Sequence, residues 1–232
     1  MITFNSAVAK IRREHDRLGH NLGWRFLYSP RRTFASSTRI VFIGQNPGGC
    51  RCESPVPSVE NGNAYRVEPW NKPYLNALQK QVCAFYWLIS RVLPGNDMCR
   101  LMDDTLAANF CPFRSPSWNQ LRKKEESLRF SRKLWRDIFR LLGPEVIVTL
   151  SYQVRDEIDQ LFRGIERPRS LSCRWRSSAG GILKYRLAYV RHGGKRVLLI
   201  GLPHLSRFKI FDRKRGNLCF DPLVRAVKRQ LG

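Results

Sequence analysis

The chain has 232 residues, 42 of them Lys or Arg against 18 Asp or Glu, giving a formal charge of +24 with 43% hydrophobic and 11% aromatic positions. That apolar content excludes a disordered basic tail, and the length suffices to bury one α/β core, so a single domain over residues 1–232 is expected. Arg outnumbers Lys by 31 to 11; the planar guanidinium suits bidentate phosphate contacts, which points to a polyanionic partner, nucleic acid ahead of membrane.

The segment Ala7–Leu18 reads as a charged helix, broken by Gly23–Pro30. Arg39–Gly44 is a short apolar run closed by glycine; it reads as a buried strand opening into the loop Gln45-Asn46-Pro47-Gly48-Gly49. Apolar residues at Leu75, Leu78, Val82, Phe85, Tyr86, Ile89 and Val92 predict an amphipathic helix over Tyr74–Leu93. Leu106–Phe110 is a second strand, stopped by Cys111-Pro112. A helix over Ser127–Leu142 leads through Gly143-Pro144 into the strand Val146–Leu150, and a further helix covers Val154–Phe162. After a Gly/Ser/Arg-rich stretch, Arg196–Gly201 is the fourth strand, followed by the loop Leu202–Phe208; the helix Pro222–Leu231 closes the sequence.

Strands alternating with helices predict an α/β fold: three layers, αβα, around a central, mostly parallel four-stranded sheet. Ligands of such sheets sit beyond the carboxyl ends of the strands. That selects three loops, the one after Gly44, the one at Asn109–Ser115 and the one after Gly201. The charge is uneven as well. Residues 163–232 hold 18 basic and 3 acidic residues, and the last of the three loops runs on through Arg207, Lys209, Arg213, Lys214 and Arg215 with Phe208 and Phe211 between them. Basic residues interleaved with aromatics fit a surface that grips phosphates and contacts bases.

No stretch approaches the ~18 apolar residues of a membrane helix, and Met1–Lys10 lacks the layout of a secretory signal, so an intracellular, cytoplasmic monomer without membrane contact is expected. Seven cysteines at irregular spacing read as reduced thiols, not a disulfide framework. Cys50-x-Cys52 and the Cys83/Cys99 pair are the candidate metal thiols; with no Cys-x-x-Cys in the chain, neither metal nor other cofactor is expected.

Three motifs in order, each at a strand end, carry a resemblance: Gly44-Gln45-Asn46-Pro47-Gly48, then Asn109-Phe110-Cys111-Pro112-Phe113, then His204-Leu205-Ser206-Arg207. Together they resemble the uracil-DNA glycosylase superfamily over roughly residues 40–211, and the Asn-Pro-Gly form is similar to its mismatch-specific and single-strand-selective branches. The resemblance implies a monofunctional DNA glycosylase that hydrolyses the N-glycosidic bond of a flipped pyrimidine and leaves an abasic site.

Under that resemblance Asn46 orients the attacking water and His204 donates a hydrogen bond to the departing base, an interaction contributing roughly 3 kcal/mol. Asn109 reads the base edge, and one amide matches either uracil or cytosine. Gln45, Gly48 and Phe110 complete the base site, with Tyr65 stacking on the base and Trp70 as the runner-up. Gly48 stands where strict uracil enzymes carry a blocking tyrosine, so a 5-substituted pyrimidine is admitted, including the hydroxymethylated or glucosylated bases that viruses install in their DNA; a role in defence against phage follows as an expectation. Leu205 replaces the proline usual after the histidine. Ser206, Arg207, Phe208 and Lys209 lie where a wedge enters DNA, with Arg207 or Phe208 filling the vacated space, and Arg114 holds a phosphate. The DNA is double- or single-stranded. The competing reading is a non-catalytic nucleic-acid-binding module on the same fold, and composition alone leaves an RNA-binding protein open.

Overall fold

The computed structural model describes residues 1–70, 73–95, 97–162, 166–175, 181–211 and 220–232. β1 (Ile40–Gly44) is buried at every position. Its side chains alternate, Ile40 and Phe42 entering one core and Val41 and Ile43 the other. A strand that is apolar on both faces requires cover on both. One covering layer is α2 (Ala64–Val67), α3 (Ala77–Ser90), α4 (Met98–Asp103) and α7 (Asp221–Leu231), which place Tyr65, Phe85, Met102 and Val227 in the first core. The other is α1 (Phe4–Arg17), α5 (Lys124–Leu141) and α6 (Tyr152–Leu161), which place Ile11, Trp135 and Ile158 in the second. The α/β architecture is thus three layers about a central sheet.

The sheet corrects the expected strand count. Among the described residues it has six strands in the order β2-β1-β3-β6-β5-β4. The four expected strands form its parallel part: β1, β2 (Leu106–Asn109), β3 (Val146–Leu150) and β6 (Lys195–Leu202). The Gly/Ser/Arg-rich stretch adds β4 (Glu166–Trp175) and β5 (Gly181–His192), both antiparallel to their neighbours. β5 is apolar on both faces toward its middle, Tyr185 and Leu187 entering the first core and Ala188 and Val190 the second, with Lys184 and Arg191 exposed. The turn into β6 was written in the sequence: Gly193 and Gly194 both take positive φ, 54° and 77°, as a two-residue hairpin demands.

Helix boundaries follow local chemistry. α3 begins at Ala77, not Tyr74, because Asn76 and Gln79 exchange backbone-to-side-chain hydrogen bonds at 3.0 Å each, closing a capping box. Tyr74 is left 70% exposed. Among the described residues no helix is long and apolar enough to cross a membrane.

The arrangement sets four strand ends side by side, with Gly44 in register with Asn109 and Leu150 with Leu202. The chain passes from β1 to β2 on one side and then to β3 on the other, so the reversal point of the sheet, where open α/β sheets bind ligands, lies at β1.

Candidate active site at the strand ends

A cleft of about 990 Å³ opens at this reversal point, its wall built from Gly44, Gln45, Asn46, Gly48, Tyr65, Asn109 and His204 together with Arg25, Tyr28, Glu68 and Trp70. Its floor depends on Gly44. A Cβ there would stand 2.2 Å from Asn109 Oδ1 and 3.4 Å from the Tyr65 hydroxyl, so only glycine lets the amide lie against the end of β1.

The loop after β1 is tied to the loop after β2. Ser115 N–H donates to the Pro47 carbonyl at 3.1 Å. Asn46 Nδ2 donates to Ser115 Oγ at 2.9 Å and to the Pro47 carbonyl at 3.0 Å, while Ser115 Oγ gives its own proton to the Ser117 carbonyl at 2.7 Å. Both amide protons of Asn46 are therefore engaged, and what it offers the cleft is an acceptor, Oδ1. Gly48 leaves open space: a Cβ there would meet nothing within 4 Å.

Asn109, 6% exposed, donates from Nδ2 to the Tyr28 hydroxyl at 2.9 Å. Tyr28 stacks on Tyr65 at 5.5 Å and 23°, and Trp70 packs edge-on against both rings. The Arg25 guanidinium covers the Tyr28 ring at 4.1 Å and forms a bidentate pair with Glu68, at 2.8 and 2.7 Å. Burial pushes the Glu68 carboxyl up, but the hydrogen bonds from Arg25 and Trp70 outweigh it and hold the group below its ordinary value, as a carboxylate. Burial raises the Tyr65 phenol well above its ordinary range, so it stays protonated.

His204 enters from the loop after β6. Burial lowers its pKa, which favours the neutral ring. Ser206 Oγ lies 2.7 Å from Nδ1; with the hydroxyl donating, the ring proton resides on Nε2. The Arg207 and Phe208 N–H groups both donate to the His204 carbonyl, at 3.0 and 3.1 Å, closing the turn. Leu205, which stands where the resemblance leads one to find proline, is fully buried in the core and anchors the loop by packing. Gln45 sits at the rim, where its Nε2 donates to Gln153 Oε1 at 3.4 Å.

One expected residue lies elsewhere, and another lines the cleft with its side chain already engaged. Phe110 is fully buried in the core on the other face of the sheet, because consecutive residues leaving a strand point opposite ways and Asn109 takes the cleft side. Arg114, expected on a phosphate, has an 8% exposed side chain that donates to the Gly48 carbonyl and to Glu53 Oε2 at 2.6 Å. It braces the first loop from within. Ser206, Arg207 and Lys209 are exposed beside the cleft without lining it, and Phe208 is half-buried against the core. Arg213, Lys214 and Arg215 fall outside the described residues. Sequence reasoning missed Arg25, Tyr28 and Glu68, and placed Ser115 on a phosphate where the structure has it accepting from Asn46. The strand-like run Trp24-Arg25-Phe26-Leu27-Tyr28 carried a signal for the first two, since it pairs through Leu27 with Ala108 of β2. Among the described residues no three His, Cys, Asp or Glu side chains gather as metal ligands. The sequence matches no protein-family model and no curated protein.

Proposed function

We propose that the protein is a monofunctional DNA glycosylase of the uracil-DNA glycosylase type, acting on a flipped uracil or 5-substituted pyrimidine. The observation that carries this reading is the meeting of Asn46, Asn109 and His204, from three separate strand-end loops, in one cleft. Extruding a base from duplex DNA costs a few kcal/mol, least where pairing is weakened or the strand is single. Asn109 reads the edge of the extruded ring. Asn46 Oδ1 accepts a hydrogen bond from water and aims the water oxygen at the anomeric carbon. An amide takes no proton at neutral pH, so the rate derives from stabilising the leaving base, to whose carbonyl oxygen the neutral His204 donates through Nε2.

The open side at Gly48 and a cleft at the upper end of the about 300–1,000 Å³ that ligand pockets span support a ring carrying a C5 substituent. Modified bases in phage DNA are substrates of that class, and their removal would serve defence. No lysine lines the cleft among the described residues, so no Schiff base with the sugar is expected and the product is an intact abasic site.

The test is release of free base from DNA carrying uracil, 5-hydroxymethyluracil, 5-fluorouracil and modified cytosines. Asn46→Ala and His204→Ala should each lower the excision rate on the order of a hundredfold. Full excision by both variants would overturn the assignment, and salt-sensitive DNA binding with no abasic product would mark a binding module instead.

A further inference from the structure

The Tyr28 hydroxyl lines the cleft beside Asn109 and has no part in the steps above. It accepts from Asn109 Nδ2 and makes no other hydrogen bond among the described residues. A phenol that is accepting still has its own proton to give. The ring around that oxygen is fixed. Arg25 covers it at 4.1 Å, Tyr65 stacks on it at 5.5 Å, and Trp70 meets it edge-on at 5.8 Å. Arg25 cannot swing away, because Glu68 holds it at two points and Trp70 Nε1 donates to the same carboxylate at 2.8 Å. Burial raises the pKa of the phenol and keeps it protonated, while the positive charges of Arg25 and Arg114 pull the other way and polarise the O–H bond. The result is a neutral donor held in place before any ligand arrives.

We propose that Tyr28 is a catalytic residue, donating a hydrogen bond to the departing base next to the edge that Asn109 reads. The inference rests on the glycosylase reading of the cleft. In the reaction the glycosidic C–N bond breaks and both of its electrons leave on the base; the water oxygen bonds to the anomeric carbon, one water proton remains on the new sugar hydroxyl and the other ends on the base. The Tyr28 proton stays on Tyr28. Its hydrogen bond shortens as negative charge spreads to the base edge, which makes the interaction stronger in the transition state than in the bound substrate.

Tyr28→Phe removes the hydroxyl and keeps the ring under Arg25 and against Tyr65. Single-turnover excision is measured for the wild type and the variant on every pyrimidine that the wild type releases, uracil and 5-fluorouracil among them, and the loss is plotted against the N1–H acidity of the freed base. The expected loss is on the order of a hundredfold for uracil and distinctly smaller for the more acidic 5-fluorouracil, because a base that leaves easily needs less help. Each comparison between bases uses one protein preparation, so a reduced folded fraction cancels. Wild-type rates in the variant, or an equal loss on all bases, would overturn the role of Tyr28 and leave the glycosylase reading intact. A wild type that releases no base at all would overturn that reading, and this one with it.

Discussion

Gly44 and Asn109 depend on each other for position. Asn109 is pinned at its amide nitrogen by Tyr28 and at its oxygen by the space that Gly44 leaves empty. Gly44→Ala puts a methyl group 2.2 Å from Oδ1, and Asn109 cannot retreat without leaving Tyr28. The expected outcome is a destabilisation of about 1–3 kcal/mol, seen as a lower melting temperature, together with loss of base excision out of proportion to it. Wild-type melting and activity in this variant would show that the amide is free to move. Of the residues at this scale, the meeting of Asn46, Asn109 and His204 was legible because each stands at the end of an apolar strand or two residues beyond it. Tyr28, Arg25 and Glu68 were not. The segment holding Tyr28 is strand-like in sequence, but it reaches the cleft by bonding alongside β2, Tyr28 N–H to the Ala107 carbonyl at 2.7 Å, and no local pattern specifies that distant partner.

At the scale of elements, the loops are held by side chains as much as by backbone. Arg114 ties the loop after β1 to the loop after β2 through the Gly48 carbonyl and Glu53. Arg114→Ala leaves both acceptors without that donor, at a cost of about 1–3 kcal/mol, and loosens the loop that carries Asn46. Excision should fall, while the slope of DNA affinity against salt stays as in the wild type. A slope reduced by about 1 would instead make Arg114 a phosphate ligand. The same scale explains what the sequence disclosed of the fold. β1, β3 and the core of β6 are short runs of Val, Ile and Leu buried on both faces, and only a covered parallel sheet uses such runs. β4 is the edge strand and β5 lies next to it, and the two carry arginine and serine among their apolar residues. The charged and hydroxylated residues interrupt the apolar runs, and a Gly/Ser/Arg-rich composition hides what remains of the strand signal.

Across the whole molecule, an ion pair cancels one charge of each sign, so the pairs seen here leave the excess of +24 for solvent or a partner. Stability has its own pH dependence, set away from the cleft. His20 is 7% exposed, against the Phe113 ring at 4.3 Å and with Nε2 3.1 Å from Ser127 Oγ. Burial, with the nearby His15 and Arg122, lowers its pKa from 6.5 to about 4. Above 6.5 the ring is neutral folded or unfolded; as pH falls from there to about 4 the unfolded chain binds a proton that the folded chain refuses, and stability declines over that window. The melting temperature should drop by roughly a few degrees on this account, and His20→Gln should flatten the decline; an equal decline in the variant would place its origin elsewhere. The central claim, that three strand-end loops excise one flipped pyrimidine, is tested most directly by assaying abasic sites in DNA carrying a panel of pyrimidines, using the wild type and the double variant Asn46→Ala, His204→Ala. The account predicts free base and intact abasic sites from at least one pyrimidine with the wild type and none above background with the double variant. Abasic sites formed equally by both proteins, or by neither on any base, would contradict it.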